Sequence, residues 1–147
     1  MVAMGSSTAN AIVSGRRERE LIAVIDDDPL VLEAMAGLLR KWGYEVLTAA
    51  TDHAALDALD ERGRPPDLIV CDYHLSNGLT GIEAIERLRG AFRIPAFLIT
   101  GDAAVAELAQ AGALGIRAVR KPADPNILRA MLSQALGDPL TPNAAER

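Results

Sequence analysis

Four short apolar runs in this chain each end on a side chain that can do chemistry. Leu21-Ile22-Ala23-Val24-Ile25 leads into the carboxylates Asp26-Asp27-Asp28, and Leu68-Ile69-Val70-Cys71 stops on Asp72. Ala96-Phe97-Leu98-Ile99 ends at Thr100, and the weaker Ile116-Arg117-Ala118-Val119-Arg120 ends at Lys121-Pro122. Carboxylates brought together from two such ends repel one another and raise their own proton affinities unless a cation neutralises them. All-oxygen ligands with room for water favour magnesium, with manganese as the alternative, usually in company with phosphate oxygens. With that ion and the Lys121 ammonium offsetting phosphate charge, an Asp72 oxygen can attack phosphorus in line and form an acyl phosphate. Thr100 can then hydrogen-bond a phosphoryl oxygen.

The elements that must position these groups are legible from periodicity. Runs of about five residues with almost no polarity read as strands buried on both faces. A further strand is expected over Tyr44-Glu45-Val46-Leu47-Thr48. Between the strands lie helical patterns: Asp28-Pro29 supplies a cap and a first turn, followed by Leu30, Val31, Ala34, Met35, Leu38 and Leu39 as an apolar stripe ending near Trp42-Gly43. Thr51-Asp52 starts a helix carrying Ala55, Leu56 and Leu59, up to Gly63. Ile82, Ile85 and Leu88 mark a third helix, ending at Gly90. Asp102 is expected to cap a fourth through Val105, Leu108 and Ala109, the weakest of the set because of its Ala and Gly content. Asp124-Pro125 opens the last, with Ile127, Leu128, Met131, Leu132 and Leu136 facing inward and Gly137 ending it.

Five strands alternating with five helices imply a parallel sheet covered on both faces by right-handed crossovers, an α/β fold. In open sheets of this kind ligands bind outside the carboxyl ends of the strands, where the strand order reverses. The intervals fit: Asp27 to Asp72 is 45 residues, room for two strand-helix units, while 28 residues to Thr100 and 21 more to Lys121 each allow one.

A length of 147 residues suits one domain, expected over 19–137, with tails at 1–18 and 138–147. A net charge of -5 and no basic run argue against nucleic acid or anionic lipid as partners. One cysteine permits no internal disulfide, and Cys71 within an apolar strand reads as a buried structural thiol. Neither a secretory pattern nor a membrane-length apolar segment is visible, so the expected location is cytoplasmic.

With these residues in place, the chain resembles the receiver domains of two-component signalling, the response-regulator family, over about residues 20 to 137. The resemblance implies a flavodoxin-like three-layer (βα)5 fold with strand order 2-1-3-4-5. It makes Asp72 the phosphoacceptor and Asp26 with Asp27 the acidic pair, Asp27 being the more direct magnesium ligand and the His74 backbone carbonyl completing the protein's share of the shell. Thr100 and Lys121 become the phosphoryl-sensing and charge-pairing residues, and Lys121-Pro122 is expected to be cis. The implied partner is a histidine kinase or histidine phosphotransfer domain, meeting a patch near Pro29, Leu30, Pro122 and Ala123. Phosphorylation and dephosphorylation at Asp72 would be self-catalysed, without conventional turnover.

Two departures narrow the subtype. Leu75-Ser76 stands where many receivers have Met-Pro, and Ala118 where an aromatic is usual, so the familiar coupling of threonine movement to ring burial is not expected. Trp42-Gly43-Tyr44, Asp72-Tyr73-His74-Leu75 and Thr100-Gly101-Asp102 resemble receivers of hybrid sensor histidine kinases. His74 lies where receiver side chains influence hydrolysis; His53 reads as a solvated helix residue. Two other classes fit part of the pattern. Asp26-Asp27-Asp28 also reads as the Asp-x-Asp of a haloacid-dehalogenase-like phosphatase, but Leu30 replaces the expected Thr or Val and no paired acidic motif follows the lysine. A phosphate-independent interaction module, its acidic pocket a relic, is the third reading.

Overall fold

The computed structural model describes residues 19–76, 78–90, 93–101 and 104–137. Five strands alternate with five helices: β1 (Leu21–Ile25), α1 (Pro29–Lys41), β2 (Glu45–Ala49), α2 (Asp52–Arg62), β3 (Leu68–Asp72), α3 (Gly81–Arg89), β4 (Ala96–Thr100), α4 (Val105–Ala113), β5 (Ile116–Arg120) and α5 (Pro125–Leu136). The sheet is parallel throughout, in the order β2-β1-β3-β4-β5. This is the flavodoxin-like order that the family resemblance implied.

Strand alternation divides the core in two. Ala23, Ile25, Ile69, Cys71 and Leu98 point to one face, where they pack with Ala55, Ile82 and Ile85. Ile22, Val24, Val70, Phe97 and Ile99 point to the other, against Leu39, Leu128 and Leu132. Both faces of β1, β3 and β4 are covered, which is why those strands are apolar in an unbroken run, ended in β3 and β4 by Asp72 and Thr100, rather than at every second position.

Local chemistry sets the helix ends. Asp28 Oδ1 accepts from the Leu30 N–H at 2.9 Å, Thr51 Oγ1 from Ala54 at 3.0 Å, and Asp124 Oδ1 from Asn126 at 2.8 Å. Thr80 and Glu83 bond reciprocally at the start of α3. Gly63 closes α2 with φ of +75°, in the left-handed region where a Cβ is strained.

Several expectations need correction. The second strand runs from Glu45 to Ala49, one residue later than expected. In α1 the face toward the sheet is Leu32, Met35, Ala36 and Leu39, whereas Leu30 is 74% exposed and Val31 and Ala34 are also exposed. Ile127 of α5 faces solvent, while Leu128, Met131 and Leu132 are buried and Leu136 packs at the margin. Helix α4 starts at Val105, which is exposed, and buries only Ala111; its first turn is held by Glu107, whose side chain accepts from the Ala104 N–H at 2.9 Å. The expected cap Asp102 lies outside the described residues, as do both expected tails.

Candidate functional site

The carboxyl ends of β1 and β3 are neighbours because those strands pair directly, Ile25 beside Cys71. Just past this pair, Asp26, Asp27 and Asp72 each bring a carboxylate oxygen within 4.8 Å of the others. Asp26 and Asp72 are buried and Asp27 is exposed, so the cluster is open to water on one side only. Backbone bonds fix Asp26: its N–H donates to the Ala49 carbonyl at 3.1 Å, and its Oδ1 accepts from the Asp28 N–H at 2.9 Å.

From the far side of the sheet Lys121 reaches across β4. Its Nζ stands 2.7 Å from Asp72 Oδ1. The ammonium is half exposed and the carboxylate is not. Asp72 is buried, so the positive charge of Lys121 meets its carboxylate where little water screens the pair. The Lys121 N–H donates to the Thr100 carbonyl at 2.9 Å, tying the ends of β4 and β5, and the Lys121-Pro122 peptide is cis as expected.

Thr100 is buried at the end of β4, one residue past Ile99, the register partner of Asp72. His74 is exposed on the following loop, its ring edge-on to Tyr73 at 4.8 Å. That loop is pinned at both ends: the Tyr73 N–H donates to the Ile99 carbonyl at 2.9 Å, and His74 pairs with Thr80 across an antiparallel bridge. Gly81 closes it. A Cβ there would run into the Asp72 carbonyl oxygen and stand 2.6 Å from Leu98 Cδ1, so only glycine lets α3 begin against the strand that carries Asp72.

The electrostatics follow from this crowding. Burial, reinforced by Asp72 and Asp27, raises the proton affinity of Asp26 above its ordinary value, although the bond from Asp28 and the charge of Lys121 oppose it. Hydrogen bonding and charge from Asp72 raise Lys121 further, so it stays protonated. Burial pushes the Cys71 thiol up, and the thiol is fully enclosed, as a structural cysteine should be. Three converging carboxylate oxygens, two of them from buried residues, fit a hard divalent cation.

Two features near the site had no local signal in the sequence. Asp52, at the first turn of α2, is fully buried and pairs with Arg87 of α3 at 3.1 Å, a contact between residues 35 apart. An apolar cavity of about 380 Å³ opens beside Asp26, Asp72 and Lys121, under α1.

Comparison with known proteins agrees with this fold. The family model described as "Response regulator receiver domain" matches residues 22–133. The transcriptional regulatory protein KdpE of Mycobacterium tuberculosis is 38% identical over 80 residues, 54% of this chain and 34% of that protein. The phyllosphere-induced regulator PhyR of Methylorubrum extorquens is 29% identical over 117 residues, 78% of this chain and 43% of that one. The chain therefore spans less than half the length of these curated relatives. Among solved structures, the receiver domain of Erythrobacter litoralis PhyR is 31% identical with a TM-score of 0.66, covering 86% of this chain and 96% of that one. With the strand order and the family model in agreement over most of its length, this chain belongs to the response regulator receiver domain family.

Proposed function

We propose that this receiver accepts a phosphoryl group from a histidine of a kinase or phosphotransfer protein onto Asp72, in a magnesium-dependent phosphorelay. The observation that carries the proposal is the gathering of Asp26, Asp27 and Asp72 within 4.8 Å, with Lys121 Nζ 2.7 Å from Asp72. Asp26, Asp27, Asp72 and the His74 carbonyl would hold Mg2+, or Mn2+ in its place. The bound ion would supply positive charge against the phosphoryl oxygens. In the transfer, a carboxylate oxygen of Asp72 bonds to phosphorus while the bond from phosphorus to the imidazole nitrogen breaks, and the electron pair leaves with the imidazole. Lys121 stays charged throughout and balances the anionic phosphoryl oxygens. Thr100, buried at the next strand end, supplies a hydroxyl to one of them.

The exposed Leu30 and Val31, beside Pro29, Pro122 and half-buried Ala123, form the surface on which the phosphodonor docks. The setting is cytoplasmic; no described helix is long and apolar enough to cross a membrane. The residues around Trp42, Asp72 and Thr100 favour a receiver of the kind attached to hybrid sensor histidine kinases. On this reading residues 19–137 form the receiver, flanked by tails at 1–18 and 138–147.

Incubation with phosphoramidate and Mg2+, followed by intact mass, tests the proposal. One phosphoryl group per chain, absent in Asp72→Asn and without Mg2+, is expected. Repeated turnover of a phosphate ester would instead favour the dehalogenase-like phosphatase, and binding of a kinase domain with no uptake would favour the phosphate-independent module.

A further inference from the structure

A groove of about 390 Å³ runs between α2 and α3, beside residues 63–66. Those residues lead into the amino end of β3, so the groove lies at the opposite end of the sheet from the acidic cluster. Leu56 and Leu59 of α2, Leu88 of α3 and Pro65 form apolar walls, with Asp60 and Arg64 beside them. Its charges are unbalanced. Arg64 is already paired with Asp67 at 3.0 Å and Arg62 with Glu45 at 2.8 Å. The exposed Asp57 and Asp60 have no ion-pair partner among the described residues. The groove thus offers an occupant carbon surface and uncompensated negative charge.

The chain supplies such an occupant from the groove's own edge. The described residues begin at Arg19, whose carbonyl accepts from Arg64 Nη2 at 3.0 Å, so the segment before it departs from a groove-lining residue. Reading back from Arg19, Arg17 and Arg16 come first, and Val13 and Ile12 follow beyond Gly15 and Ser14. Reading along α2 away from Arg64, Asp60 comes first and Leu56 one turn further. The two orders match, cations meeting acids and then carbon meeting carbon. Residue 56 lies about 12 Å back along the helical path from residue 64. The links from Arg19 to Ile12 span about 23 Å when extended, so the segment is long enough.

We propose that residues 12–17 dock in the α2–α3 groove of their own chain, Arg16 and Arg17 against Asp57 and Asp60, with Ile12 and Val13 over Leu56 and Leu88. Exposed ion pairs hold weakly by themselves. Attachment at Arg19 makes the association intramolecular, so a few weak contacts suffice. The docking uses no residue of the acidic cluster, and it stands whether or not Asp72 takes a phosphoryl group.

The test uses the full chain and brief digestion with trypsin, which cuts after arginine and reaches Arg16 and Arg17 only while the segment is undocked. Intact mass gives the rate of cleavage there. Leu56→Ser, the pair Asp57→Asn with Asp60→Asn, and the pair Ile12→Ser with Val13→Ser should each raise that rate at least about threefold. The last pair lies outside the folded elements and serves if Leu56→Ser does not fold. In ¹³C-edited spectra of the unaltered chain, the Ile12 and Val13 methyl groups should show NOEs to those of Leu56 and Leu88, unchanged on dilution. The proposal is overturned if the variants are cut at the wild-type rate or if those methyl contacts are absent. It is overturned equally if the contacts arise only between differently labelled copies, which would make the groove an interface between two molecules.

Discussion

Asp26 illustrates how a single residue can serve the site at the expense of the fold. Its folded-state proton affinity is raised, first by burial. A carboxyl raised in this way favours folding below its ordinary value of 3.8, and the benefit is lost as pH climbs through the higher folded value. Above that folded value the group is therefore a penalty. Asp26→Asn should raise the melting temperature at pH 7 by a few degrees, with the gain vanishing as pH falls below the ordinary carboxylate range; a scan of melting temperature against pH checks both. Lys121 behaves in the opposite sense. Its contribution persists across neutral pH and is lost only as pH rises above 10.5 through its raised folded value. Lys121→Met should cost about 1 kcal/mol at pH 7, a figure reduced because water reaches the half-exposed ammonium. Combined with Asp72→Asn in a double-mutant cycle followed by urea unfolding, most of that cost should disappear.

At the scale of elements, two glycines separate close approach from mere tolerance. A methyl group at Gly81 meets backbone at the Asp72 carbonyl and at Tyr73 Cα, which stands 2.9 Å away, and neither can turn aside. Gly81→Ala should therefore destabilise by about 2–4 kcal/mol. Gly37, inside α1, has nothing within 4 Å of its missing Cβ, and Gly37→Ala should stabilise by about 0.5–1 kcal/mol. Denaturant midpoints of the two variants should move in opposite directions. Arg89 is a third case: its guanidinium donates to the carbonyls of Ile94 at 3.0 Å and Leu114 at 2.7 Å, joining α3, the approach to β4 and the end of α4. Since α4 buries only Ala111, Arg89→Ala should speed amide exchange across α4 well before it affects β3.

Across the whole molecule, what could be read from sequence divides along a physical line. Strands buried on both faces are apolar almost without interruption, so β1 and β3 were legible to the residue, and with them the positions of Asp26 and Asp72. The reactive side chains sit just past such runs, where local pattern alone locates them. Helix faces were less legible. Apolar content in the first turns of α1 and α5 suggested burial, yet Leu30 and Ile127 lie beyond the reach of the sheet and face water. The Asp52–Arg87 pair and the cavity under α1 depend on contacts between distant segments, which leave no local signature. If the carboxylate cluster takes a divalent cation, addition of Mg2+ at pH 7 should raise the melting temperature in proportion to the logarithm of its concentration above Kd. That slope should be lost in Asp27→Ala, whose exposed side chain contributes little to the core.

The single thiol of Cys71 offers one last consequence. It sits in β3 immediately before Asp72, fully enclosed and poorly ionised, so a sulfhydryl reagent in the surrounding solution can reach it only when the central strand comes away from its neighbours. The molecule thus contains its own chronometer. The rate at which a maleimide marks that sulfur, followed with and without occupancy of the neighbouring pocket, counts how often the middle of the sheet breathes, with no dye or engineered label required.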